Sequence, residues 1–229
     1  MEHHFDHELG ELKQKLLAMA GHAEAAVNRA IEALTTRNYD LALQVKENDR
    51  VIDQFEVEID EMAIHILAQA PLASDLRLVM VAMKISQNLE RVGDEASKIA
   101  KRARDLSQEP PLKLVVDLPR MAGLALGMLK GSLDTFVNHD PAAARALIPC
   151  DKEVDRLNKE INRALVQQMV DDTGTIARCL HLMVVSKSLE RIADHATNVA
   201  EDVVYLCEAQ DIRHTGNKGQ PAPAPQAAA

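Results

Sequence analysis

Residues 86–100, SQNLERVGDEASKIA, return in closely similar form as residues 186–200, SKSLERIADHATNVA. Around the first copy, Leu78, Val81, Ile85, Leu89, Val92, Ile99 and Ala103 recur at helical intervals and trace one buried face. Two more such faces precede it. Leu9, Leu12, Leu16, Met19, Ala23, Val27, Ala30 and Leu34 form one, and Leu41, Val45, Ile52, Phe55, Ile59, Met62 and Ile66 the other. The second half repeats the order. NYDLAL at 38–43 pairs with NHDPAA at 138–143, and Asp49, Asp53, Glu58 and Ile59 pair with Asp151, Asp155, Glu160 and Ile161. These pairings put two extra residues of the second half near Pro149 and two fewer in the turn where AQAPLASDL becomes VDDTGTI. A period near 100 residues is too long for a solenoid. The expectation is an all-α chain of six long helices, arranged as two tandem three-helix bundles.

Prolines set the boundaries. The first bundle is expected over 1–108, a connector over 109–118 marked by Pro110 and Pro111 and bounded by Pro119, the second bundle over 119–210, and a disordered Pro/Ala tail over 211–229. Pro71 precedes an expected N-cap at Ser74, Asp140-Pro141 reads as a cap followed by a first-turn proline, and Pro149 predicts a break. Composition agrees with helices. Only 2% of residues are aromatic, and Ala, Leu, Glu, Lys and Arg dominate, so an all-β fold is excluded.

The formal net charge is −9, from 35 acidic and 26 basic residues. Bulk electrostatics therefore oppose nucleic acid and anionic membrane surfaces. No stretch approaches a membrane span, and the N-terminus lacks a signal-peptide core, so a cytoplasmic location is expected. Cys150, Cys179 and Cys207 form no metal-binding or disulfide pattern.

The chemistry lies in carboxylate spacing. Glu90 with Asp94 and Glu190 with Asp194 are four apart, on one face of the third helix of each half. Asp49 with Asp53 and Asp151 with Asp155 repeat that spacing on the second helices. Like charges at this separation repel by a few tenths of a kcal/mol, roughly, in an isolated helix. If the helices face each other, four carboxylates converge in each half, a donor set suited to Mg²⁺, Ca²⁺, Mn²⁺ or iron. Asn198 and Glu201 extend the second line, whereas Lys98 and Lys101 stand there in the first and can neutralise it without metal. A solvated acidic face paired with Arg91 and Arg191 is the alternative. The His3, His4 and His7 cluster reads as solvated. A ferritin-like di-metal site needs Glu-x-x-His, which is missing here, as are a glycine-rich phosphate loop and a catalytic serine elbow.

The motifs NLERVGDEASKIA and SLERIADHATNVAEDVVYL, in a duplicated helical chain of this length, resemble the PhoU family of phosphate-uptake regulators over roughly residues 6 to 214. The resemblance implies two three-helix bundles related by a pseudo-twofold and no catalytic activity. It implies a cytoplasmic negative regulator of the phosphate-starvation response, a homodimer. As partners it implies the ATPase subunit of the phosphate ABC transporter and the phosphate sensor histidine kinase. Some members bind iron, Zn²⁺, Mg²⁺ or Mn²⁺ through Glu/Asp-x-x-x-Asp motifs, none of them obligatory here; the matching positions are Glu90, Asp94, Glu190 and Asp194. The reading from a different class is a metal-dependent helical enzyme or metal-storage protein.

Overall fold

The computed structural model describes residues 2–69 and 73–213, with side chains from residue 7 onward. The side chains of His3 and His4, the Pro71 turn and the tail beyond Arg213 lie outside that range. Seven α-helices make up the described chain: α1 Glu2–Thr36, α2 Tyr39–Ala68, α3 Ala73–Ser107, α4 Leu118–Asn138, α5 Pro141–Leu147, α6 Asp151–Asp171 and α7 Ile176–Glu208. The first three form one bundle, and α4, α5–α6 and α7 form the other. All-α architecture in two related bundles is thus confirmed, with one of the six expected helices split. Pro149 has no N–H to continue the helical ladder, and Ile148–Cys150 tightens into a 3₁₀ turn between α5 and α6.

Matching caps give the true register of the repeat. Arg37 and His139 both take left-handed φ values, 56° and 50°, and close α1 and α4. The next residues bond back into the helix just ended, Asn38 N to Ala33 O at 2.9 Å and Asp140 N to Thr135 O at 3.0 Å. Their side chains then cap the following helix, Asn38 accepting from Leu41 N at 3.0 Å and Asp140 from Ala143 N at 2.9 Å. Asn38 therefore corresponds to Asp140, not to Asn138. The pairing of NYDLAL with NHDPAA is corrected by two residues, and the extra pair lies before this turn rather than at Pro149. Ser74 is also corrected: α3 starts at Ala73, so Ser74 sits inside its first turn. The core continues past the boundary expected at 211, because Ile212 is buried within it.

Two helices hold the molecule together. α3 packs on α1 and α2, α7 packs on α4, α5 and α6, and α3 and α7 pack on each other. They run antiparallel, since Lys84 meets Asp202, Glu95 meets Arg191, and Arg102 meets His181. Most of the buried aliphatic residues of both halves join in one continuous cluster. Lost apolar exposure is the main stabilising term, at roughly 25 cal/mol per Å².

Glycine 93 shows how closely α3 approaches α2. A Cβ there would lie 2.8 Å from Ile52 Cδ1 and 3.3 Å from Asp49 Oδ1. At the equivalent places the second half carries Ala193 and Val154, both fully buried. It has one carbon more on the third helix and one fewer on the second than the Gly93 and Ile52 pair. We predict that Gly93→Ala destabilises the protein by about 1 kcal/mol, because overpacking outweighs the gain in helix propensity. Adding Ile52→Val should recover most of that loss, as read from a double-mutant cycle in urea.

Candidate functional site

Each half brings its second and third helices together along a row of carboxylates. In the first half, Asp49 and Asp53 of α2 face Glu90 and Asp94 of α3. Burial pushes the Asp49 carboxyl up against the influence of the nearby Ser97 hydroxyl, and the charges of Asp53 and Asp94 push it further. Glu90 is likewise raised, first by burial and then by Asp94, with Arg91 opposing. Arg91 lies 3.4 Å from Glu90 and 3.7 Å from Asp94, but its side chain is 63% exposed, so it offsets the repulsion only weakly.

In the second half the expected four carboxylates also influence one another. Asp194 is raised from 3.8 to about 6, by burial first and then by the charges of Asp151, Glu190 and, more weakly, Asp155, with Lys187 opposing. Lys187 pairs with Glu190 one turn away along α7. Arg191, expected beside these acids, instead reaches Glu95 across the α3–α7 seam at 3.2 Å.

Three sequence expectations need correction. Lys98 does not neutralise Glu90 and Asp94; it bonds Glu95 at 2.9 Å. Asn198 does not extend the Glu190–Asp194 line, because its amide turns toward Asn88 of α3 at 3.4 Å. Glu201 is buried near Asp202 and Arg213, whose ionisation it influences, rather than in the row. For Lys98 and Asn198 the reason is rotation: each four-residue step advances about 40° beyond a full turn. Two steps from Glu190 or Glu90 lead round the helix toward the seam.

Two residues were missed. Glu56 and Asp60 continue the first row along α2, and Glu56 is raised by burial, then by Asp60, with Arg91 opposing. Their signal was legible in the spacing 49, 53, 56, 60, one stripe of a helix. The second half has Asn158 and Asn162 there. Asn158 Oδ1 accepts from Ser186 Oγ at 2.6 Å and from Asn162 Nδ2 at 2.7 Å, forming a neutral network. The first row is therefore the longer and more negative of the two, the reverse of what Lys98 suggested.

All of these donors are carboxylate oxygens, the type that hard cations take. Among the described residues, however, no three carboxylate, imidazole or thiol groups stand close enough to share one metal ion. The rows as they stand are charged surfaces, not closed ligand cages. No described helix is long and apolar enough to cross a membrane.

The fold and its paired acidic rows define a duplicated helical-bundle protein. The pattern of the PhoU domain is matched twice, over residues 16–103 and 118–203, and the chain belongs to the PhoU family. It is 42% identical to the phosphate-specific transport system accessory protein PhoU homolog of Zymomonas mobilis, an alignment covering 91% of this chain and 88% of that protein. To the phosphate-specific transport system accessory protein PhoU of Escherichia coli it is 36% identical, covering 93% and 88%. The crystal structure of PhoU from Pseudomonas aeruginosa superposes with a TM-score of 0.87 at 41% identity, covering 90% of this chain and all of that one. The phosphate transport system regulatory protein PhoU from Streptococcus pneumoniae gives 0.83 at 28% identity, covering 91% and 99%. These relatives are named as accessory and regulatory proteins rather than as enzymes.

The raised Asp194 makes a signed prediction. Its folded pKa exceeds its ordinary value, so the folded state binds the extra proton between about pH 4 and 6 and loses stability as pH rises through that window. Asp194→Asn should therefore stabilise the protein at pH 8 by about 1 kcal/mol, after allowance for solvent screening. The gain should vanish below pH ~4. Urea unfolding with chelator at both pH values reads the difference.

Proposed function

We propose that this chain is an accessory regulator of phosphate uptake that restrains the phosphate-starvation response when phosphate is plentiful. The supporting observation is the match of both PhoU domains, together with relatives over 35% identical along nine-tenths of the chain that are named for the phosphate-specific transport system. In this reading the protein acts in the cytoplasm by docking, as a homodimer, without performing chemistry. Its partners are the ATPase subunit of the phosphate ABC transporter and the phosphate sensor histidine kinase. The acidic rows support that role, because carboxylates raised by burial and by one another's charge gain when a basic partner surface meets them. No specific observation favours the alternative of a metal-dependent enzyme or metal-storage bundle.

Divalent metal or iron enters only as optional counter-charge, with none obligatory. If Glu190 and Asp194 ligate, saturating Mn²⁺ raises the melting temperature of the wild type but not that of Glu190→Gln/Asp194→Asn, through selective binding to the folded state.

The regulatory reading is tested genetically. Deleting the gene should leave alkaline phosphatase expression high in phosphate-rich medium, and the wild-type gene supplied in trans should restore repression. Normal repression in the deletion strain would contradict it. The Glu190→Gln/Asp194→Asn gene should restore repression only in part if the second row docks a partner.

A further inference from the structure

A cleft of about 420 Å³ opens where the two halves meet, within the range of small-molecule sites. Its walls come from four helices or their turns: Leu9, Gly10 and Lys13 of α1, Ser74, Asp75 and Arg77 of α3, His139 after α4, and Leu206 of α7. In a protein with formal net charge −9, three of its nitrogen-bearing side chains face this cleft. Lys13 Nζ lies 3.3 Å from His139 Nε2, and the described residues offer this ammonium no carboxylate within ion-pair distance. That contact requires a neutral imidazole, accepting at Nε2 from the ammonium. Arg77 Nε is buried and has no hydrogen-bond partner. Asp75 is the one carboxylate among the described wall residues, and its contact is with the Ser74 hydroxyl at 3.4 Å.

Cations placed together with unmet donors cost free energy, and an anion would relieve that cost. We infer that this cleft binds a small multivalent oxyanion, held by Arg77, Lys13 and a protonated His139. The anion is either free inorganic phosphate or the phosphate group of an ester. No glycine-rich loop announces such a site, because its donors come from two separate helices and a turn and only meet after folding.

His139 gives the site a pH signature. Its imidazole is held below the ordinary range, by burial first and by the Lys13 ammonium second. The charged groups facing it are Lys13 from α1 and Asp75 and Arg77 from α3, while α7 contributes only the apolar Leu206 to the cleft. An anion between Lys13 and His139 replaces repulsion with attraction, so binding takes up a proton. Because Lys13 and Arg77 belong to the first half and His139 and Leu206 to the second, an occupied cleft ties the halves together and gives the regulator a ligand-dependent shape.

The test uses the full chain and three probes, sulfate, inorganic phosphate and adenosine monophosphate, titrated by calorimetry and by His139 ring NMR shifts. Sulfate keeps its charge across the range, so its affinity should rise several-fold from pH 8 to pH 6, and His139→Gln should abolish that rise. Arg77→Gln should weaken binding at least tenfold, as loss of a charge-assisted donor does. Lys13→Gln, at a partly exposed position, is the second variant if Arg77→Gln fails to fold, with circular dichroism as the check on both. Saturable binding of sulfate or phosphate identifies a free anion, and binding of adenosine monophosphate alone identifies a phosphate ester. No saturable binding of any probe, or binding unchanged in the variants, overturns the assignment.

Discussion

The antiparallel contact between α3 and α7 is the constraint on which the rest depends. Each of these helices is buried by its own bundle and again by the other, so little of its circumference remains wet. The seam is polar where it could have been plain aliphatic. Glu95, 4% exposed, accepts from Lys98 and Arg191. Burial alone would raise its pKa, yet these partners, with Ser188 alongside, hold it below the ordinary value. Stability from Glu95 is therefore present above the ordinary carboxylate range and is lost as pH falls through the folded value. Lys84–Asp202 at 3.0 Å and His195–Asn88 at 2.9 Å also cross the seam. An apolar stripe could slide by a turn, whereas these pairs match in only one register. We read their role as fixing that register more than as adding net stability.

The seam also explains a departure from repetition. Glu95 and His195 occupy equivalent places in the duplicated motif, and the Glu95 charge acts on the His195 ring. Two glutamates so near a pseudo-twofold would repel with little solvent to screen them. The second half carries histidine at that place, and Arg191 serves Glu95 rather than the acidic row of its own half. The two bundles form a single asymmetric body, with a longer acidic row on the first half and a neutral asparagine network on part of the second.

Periodicity and proline made most of the fold legible in the sequence. The helical faces led by Leu12, Ile52 and Leu89 and the split at Pro149 follow from local rules that tertiary structure did not override. The register of the repeat did not, because the resemblance of NYD to NHD is accidental and the caps that define the turn are visible only as backbone geometry. For the site, the four-apart carboxylates were readable, since that spacing keeps neighbours on one face. Lys98 and Asn198 were misplaced because a straight line of such steps drifts around the helix. The cationic cleft left no trace in the sequence, since Lys13, Arg77 and His139 share no spacing.

The acidic rows of both halves can act together only if α3 and α7 make the molecule one cooperative unit. Differential scanning calorimetry of the full chain measures this most directly. The account predicts a single transition whose van't Hoff and calorimetric enthalpies agree, and which Glu95→Ala lowers as a whole. Two resolved transitions, with Glu95→Ala moving only one of them, would contradict it.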